Sequence, residues 1–174
     1  MSVNPTACAS PEAPLFRQSG KSYASILLAS HGTEGARAAE RMALERCAAG
    51  GEIYHLFVVP DLWKGMMGDD WLNNVRTRIR FGEYLEGQLE KEMQVHLERM
   101  EEMTALACLS YEPIVHIGKP TSCLLAEMSR RSCDLVVIGA PRPKGVEGLR
   151  SRMRLDELLR AAQVPVMIAP YGGG

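Results

Sequence analysis

Apolar runs that are short and do not alternate constrain this chain more than any other feature. They are Ser25-Ile26-Leu27-Leu28-Ala29-Ser30, Asp134-Leu135-Val136-Val137-Ile138-Gly139-Ala140 and Val164-Pro165-Val166-Met167-Ile168-Ala169-Pro170. A strand with one wet face alternates polar and apolar side chains. A run without that alternation is buried on both faces, as in a parallel sheet covered by helices. Two further strands fit between them, at residues 53–59 and within 107–117.

The intervening segments carry helical spacing. Thr33 is a plausible N-cap, with Glu34 favourable in the first turn. Ala39, Met42, Ala43 and Cys47 follow on one stripe, and Gly50-Gly51 is expected to stop that helix. Residues 73–104 form a second helical stretch on Val75, Ile79, Leu85, Leu89, Met93, Leu97 and Met100, with a bend expected near Gly82 and Gly87. Gly118-Lys119-Pro120 turns the chain into a third helix with Leu124, Leu125 and Met128 inside. A fourth covers residues 151–162. The apolar loop 60–72, with Trp63 and Trp71, reads as a lid, a dimer contact or simple packing onto the core. Strand and helix alternate throughout, which implies a parallel, doubly wound sheet with right-handed crossovers. Ligands of such sheets sit at the strand ends beside the topological switch point, here His31-Gly32 and Gly139-Ala140.

Length and composition set outer bounds. The 174 residues suit one domain, residues 23–174, behind a Pro- and Ser-containing tail at 1–22 that reads as mobile. A net charge of −1 gives no bulk argument for nucleic acid or an acidic membrane. The five cysteines are odd in number and show no CxxC spacing, which argues against a disulfide framework or a zinc site and for buried thiols in a reducing cytoplasm. No run reaches the roughly 18 apolar residues of a membrane span, and no basic-then-apolar leader opens the chain.

The residues Ile26-Leu27-Leu28-Ala29-Ser30-His31-Gly32-Thr33-Glu34, Gly118-Lys119-Pro120, Asp134-Leu135-Val136-Val137-Ile138-Gly139 and the run 164–170 resemble, in this order, the universal stress protein family over roughly residues 23–170. The resemblance implies a five-stranded parallel, Rossmann-like sheet of the adenine nucleotide alpha hydrolase-like kind, an intracellular role in stress survival, and a homodimer. Some members of that family bind ATP or AMP through a Gly-x2-Gly-x9-Gly-Ser/Thr loop, with an acidic residue ending the first strand. Carried onto this chain, the ligand pocket lies between residues 29–32, 58–61, 117–120 and 139–154. Its residues are His31, Gly32, Val59, Gly118, Gly139, Arg142, Gly145, Arg152 and Met153.

Several of these depart from the family's pattern. With Gly139 on the first loop glycine, Arg142 takes the second, Arg152 the third and Met153 the hydroxyl position; His31 replaces the acid. Glycine lets main-chain amides approach a phosphate, whereas arginine adds a Cβ and a long side chain. Pro141 and Pro143 remove two N–H donors. These losses argue against the usual nucleotide grip. The cations Arg142, Lys144, Arg150, Arg152 and Arg154 either invite an anion or are compensated by Glu147, Asp156, Glu157 and solvent.

Other chemistry is sparse. His31 could sense pH, meet a phosphate or simply pack; His55 reads as structural inside a strand, His96 sits on the long helix, and His116 lies in a strand near the sheet's functional edge, with no carboxylate obviously paired to them. No metal spacing is present. Ser30 and His31 are neighbours that point to opposite strand faces, and neither a Gly-x-Ser-x-Gly elbow nor a Walker loop occurs. Arg131 could lower the Cys133 pKa, although a buried thiol is the plainer reading.

The expectation is therefore a non-enzymatic, cytoplasmic binding or regulatory protein. It would pair through the exposed edge of its last strand, Val164 to Pro170, and answer to a regulatory protein partner, with neither nucleic acid nor membrane. An ATP- or AMP-binding protein with an altered pocket and weak hydrolysis is the alternative. A pure interaction module without a ligand is a third reading.

Overall fold

The computed structural model describes residues 21–30, 34–60, 91, 93–145 and 153–171. Strand β1 (Tyr23–Ala29) is followed by helix α1 (Glu34–Arg46) and strand β2 (Cys47–Pro60). Helix α2 is described over residues 93–106. Then come β3 (Ser110–Gly118), α3 (Pro120–Arg130), β4 (Leu135–Gly139), α4 (Leu155–Ala161) and β5 (Val166–Ala169). All strand pairs are parallel and the order is β3-β2-β1-β4-β5, so the chain reverses direction across the sheet between β1 and β4. The expected doubly wound sheet is present, with its switch point where the sequence placed it.

Burial explains the missing alternation. Ile26, Leu27 and Leu28 are all fully buried, as are Val136 and Val137. Ile26 and Leu28 face α1 and α2, together with Ala39, Ala43, Met100 and Val137. Leu27 faces α3 and α4, with Leu124, Met128, Val136, Ile138 and Leu158. Each central strand thus loses apolar surface to a helix layer on both sides, the arrangement in which burial stabilises a parallel sheet.

Two boundaries differ from the sequence expectation. Helix α1 stops at Arg46, and Cys47 already belongs to β2, although its side chain still packs with the α1 layer. Gly50-Gly51 therefore lies inside the second strand. The β1–β2 register jumps there, from Tyr23↔Cys47 to Ser25↔Glu52, so residues 48–51 are squeezed out as a bulge. Gly50 adopts φ +70, and a Cβ on Gly51 would stand 2.7 Å from the Ala24 carbonyl oxygen. These glycines serve strand geometry, not helix termination. The last helix begins at Leu155, not at Ser151. The tail, the 60–72 loop beyond Pro60, the Gly82/Gly87 bend and the N-cap Thr33 lie outside the described residues.

A second glycine constraint sets the distance between α1 and the sheet. A Cβ on Gly139 would come within 2.4 Å of the Gly35 oxygen and 3.0 Å of the Ala36 nitrogen. The first turn of α1 consequently rests main chain to main chain on the end of β4. Gly139→Ala is expected to lower stability by about 1–3 kcal/mol, because backbone rather than a flexible side chain must yield; urea unfolding measures it. Helix α2 ends in a Schellman motif. The Cys108 and Leu109 amides donate to the Ala105 and Thr104 carbonyls at 3.0 and 2.9 Å, with Cys108 at φ +53. Cys108→Gly is expected to raise stability by up to about 1 kcal/mol, since glycine occupies that conformation without the Cβ penalty. An unchanged or lower midpoint in the same assay contradicts this.

Candidate functional site

Because every strand runs the same way, all carboxyl ends gather on one rim. Val59 and Gly118 lie on adjacent strands there, in the register Val59↔Ile117 and Pro60↔Gly118, and Gly139 ends β4 beside Ala169. Gly118 is at φ +152 and Gly145 at φ +89, conformations that L side chains rarely adopt. A Cβ on Gly145 would meet nothing within 4 Å. Arg142 and Met153 are half-buried at the same rim. His31, Gly32 and Arg152 lie outside the described residues, as do Glu147 and Arg150.

The two residues that lead into α4, Met153 and Arg154, are fastened from within the fold. Thr121, buried in the first turn of α3, donates its hydroxyl to Met153 Sδ at 3.5 Å and accepts the Arg154 amide at 2.8 Å. Arg154 has no side-chain cap at the start of α4 and instead reaches Glu157 at 3.2 Å and Asp156 at 4.0 Å. The compensation anticipated for this cation is therefore in place. The residue at the family's hydroxyl position, Met153, is itself a hydrogen-bond acceptor for a neighbouring helix. Gly139 is occupied by the approach of Gly35, so its small size answers to packing.

Two buried carboxylates went unrecognised in the sequence, and both pair with histidines that had looked unpartnered. The first is Glu40 on α1, 1% exposed. The Ser30 hydroxyl and the Arg99 guanidinium donate to its two oxygens, Oε1 and Oε2. His96 Nε2 lies 3.2 Å from both Glu40 Oε1 and Ser30 Oγ. Ser30 has one hydrogen and gives it to Glu40, so His96 must donate to Ser30 through Nε2. Beneath it, His55 packs edge-on to the His96 ring at 5.3 Å and places Nδ1 2.8 Å from the Tyr111 hydroxyl. His55 Nε2 has no partner in hydrogen-bonding geometry, although the Ser30 main chain lies close enough to favour its protonated form.

The second is Glu127 on α3, also 1% exposed but covered only by a thin roof of arginine side chains. It meets His116 Nε2 at 2.9 Å, Arg131 Nε at 2.9 Å and Arg130 Nη1 at 3.1 Å. Arg131 continues to Glu112 through two bonds of 2.8 and 2.7 Å and lies over the Tyr54 ring. Burial alone would raise the Glu127 pKa. The hydrogen bonds from Arg131 and His116, and the charges of Arg130 and Arg131, outweigh it and leave the carboxyl below its ordinary value.

The signal for Glu40 lay in its spacing. It sits four residues after Ala36 and three before Ala43, inside the apolar stripe of α1. His96 stands likewise one turn before Met100.

The thiols are quiet. Burial pushes Cys47 up to about 11 and raises Cys123 and Cys133, so none is a ready thiolate. Arg131 is committed to the two carboxylates and does not activate Cys133. Among the described residues, no group of three or more His, Cys, Asp or Glu side chains is arranged to hold a metal, and no helix is long and apolar enough to cross a membrane.

Because Glu127 titrates low in the fold, its contribution to stability is complete above the ordinary carboxylate range and is lost as pH falls through its folded value. Glu127→Gln is expected to cost about 1–3 kcal/mol near neutrality and to flatten the acid limb of stability below about pH 4.5. Urea midpoints measured across pH test both; an unaltered acid limb contradicts the assignment.

Comparison with known proteins places this arrangement. The sequence model of the universal stress protein family matches residues 22–170. No curated protein matches the chain. Among solved structures, the hypothetical protein MJ0577 superposes with a TM-score of 0.66 at 16% identity, over 87% of this chain and 99% of its own. A universal stress protein family member from Burkholderia pseudomallei gives 0.58 at 20% identity, over 86% and 97%. One from Arabidopsis thaliana with AMP bound gives 0.58 at 14% identity, over 85% and 92%.

Proposed function

This chain belongs to the universal stress protein family, and on that premise we propose that it is a homodimeric binding and regulatory protein whose rim no longer grips a nucleotide triphosphate in the family's manner. The observation that carries this reading is the Thr121 hydroxyl. It takes up both Met153 and the Arg154 amide, leaving a loop fastened by the protein's own groups where phosphate oxygens would need free donors. Arg154 is likewise spent on Glu157 and Asp156. A catalytic role would need a positioned base or a metal beside the rim. The two carboxylate–histidine pairs are engaged within the fold: one packs under α1 and α2 and reaches the rim through Ser30, the other joins β3 to α3.

The alternative is an altered adenine-nucleotide pocket with weak hydrolysis. The AMP bound to the Arabidopsis relative favours it. So do the glycines Gly118 and Gly145, whose backbones keep unusual conformations at the rim. Thermal unfolding with ATP and Mg²⁺, and separately with AMP, decides between them. A ligand at about a hundred times its Kd would raise the midpoint by roughly 5–10 °C. The expected result is no saturable rise with either; a saturable rise supports the altered pocket.

The two sheet edges suggest how copies pair. Edge strand β3 carries Pro113 and an ion-paired Glu112, features that blunt an edge against pairing. Edge strand β5 reads Val166-Met167-Ile168-Ala169 without a charge, and Ile168 is exposed. Two β5 edges joined about a two-fold axis would close that surface. Sedimentation equilibrium is expected to give a dimer, and Ile168→Lys to shift it toward monomer. A wild-type monomer at micromolar concentration contradicts the pairing. The free thiols suit the reducing cytoplasm that this reading implies, and a protein partner would receive the regulatory output.

A further inference from the structure

The interior cluster around Glu40 adjoins the rim through Ser30 and is unusual for a helix–helix contact. It joins three elements at one point: Ser30 just past β1, Glu40 on α1, and His96 and Arg99 on α2. Ser30, Glu40 and His96 are 2%, 1% and 8% exposed, whereas Arg99 is 40% exposed and closes the cluster from the solvent side. Over its described residues α2 also buries Thr104. Met100 is its fully buried anchor, while Val95 and Leu106 are 65% and 84% exposed.

We propose that this cluster is an acid-sensitive clasp, holding α2 against α1 and β2 while the His96 ring is neutral and releasing α2 locally when that ring takes up a proton. The groups facing His96 explain why a charge is not tolerated there. Arg37 and Glu40 approach from α1, Arg99 belongs to its own helix, and His55, itself bonded to Tyr111 of β3, lies beneath on β2. The Phe57 ring, 5.9 Å away, adds an apolar wall. Glu40 is near enough to neutralise an imidazolium, but Arg99 already occupies it. Burial also lifts its pKa, so it surrenders its own charge as acid is added.

The direction follows from linkage. Burial, then Arg99 and Arg37, hold closed-state His96 at about 4; a released ring returns to about 6.5. Between those values acid favours the open form. His55, held at about 3 by burial and the neighbouring His96, acts the same way if exposed. Glu40 acts oppositely: its raised pKa means that its proton favours the closed form, which blunts the response of the histidines.

Hydrogen exchange of the full chain, read by mass spectrometry at about pH 7 and about pH 5.5 and corrected for intrinsic rates, tests the clasp. Protection of residues 93–106 is expected to fall by about three- to tenfold per pH unit, while β1 and β4 keep theirs. His96→Gln is expected to diminish the pH dependence in α2, leaving only what His55 and Glu40 contribute. Parallel loss in α2 and the sheet overturns the proposal, as does unchanged α2 protection or an undiminished slope in the variant. Should that variant fail to fold, the wild-type His96 ring is followed by NMR: a midpoint well below about 6.5 is expected, and an ordinary midpoint overturns the clasp. None of this depends on whether the rim binds a nucleotide.

Discussion

The double burial of β1 and β4 is the constraint on which the rest of this structure depends. Side chains on both faces of these strands are lost to solvent, so helices must cover both sides, and the connections must cross over to provide them. Covering a short strand closely requires small residues on the helix. Ala39 and Ala43 provide them along α1, and the Gly35–Gly139 contact brings main chain against main chain at its first turn. The same contact decides what β4's last residue can do. A glycine that must accept a helix backbone on one side is selected by packing, whatever ligand approaches on the other.

The sheet was legible for this reason. Continuous apolar runs report two-sided burial directly, and their separation by helix-length segments leaves few topologies. Boundaries were less legible where two signals overlapped. Cys47 continues the helical stripe of Ala39 and Ala43, yet it opens β2. A partly buried side chain at a helix-to-strand junction faces the same layer in either conformation. Gly50-Gly51 looked like a helix stop because glycine marks any positive-φ position, whether a cap or a bulge. Only the strand register, which sequence spacing does not carry, separates the two.

The polar interior was the least legible part. Glu40 lies on a helix rich in charge, where a single glutamate reads as solvated surface, and Glu127 lies on α3 beside Arg130, where an exposed ion pair is the plainer reading. Their burial depends on partners 59 and 56 residues away in one case, and 11 in the other (Arg99 at 99−40, His96 at 96−40, and His116 at 127−116). Desolvating a carboxylate costs several kcal/mol unless several donors meet it. Glu40 meets Ser30, His96 and Arg99; Glu127 meets His116, Arg130 and Arg131. The requirement for several donors makes each site a junction of separate elements, which spacing within one helix signals only in part.

The rim and the interior differ in how their polar groups are satisfied, and this difference bears on function. At the rim, the buried Thr121 hydroxyl joins Met153 Sδ and the Arg154 amide. In the interior, the Glu40 cluster is sealed by Arg99, whose charge is needed by the carboxylate and resented by the histidines. A group that stabilises one neighbour while destabilising the charged form of another ties the closed arrangement to a particular protonation state. The clasp proposed above rests on that arrangement, through which the fold would respond to solution conditions.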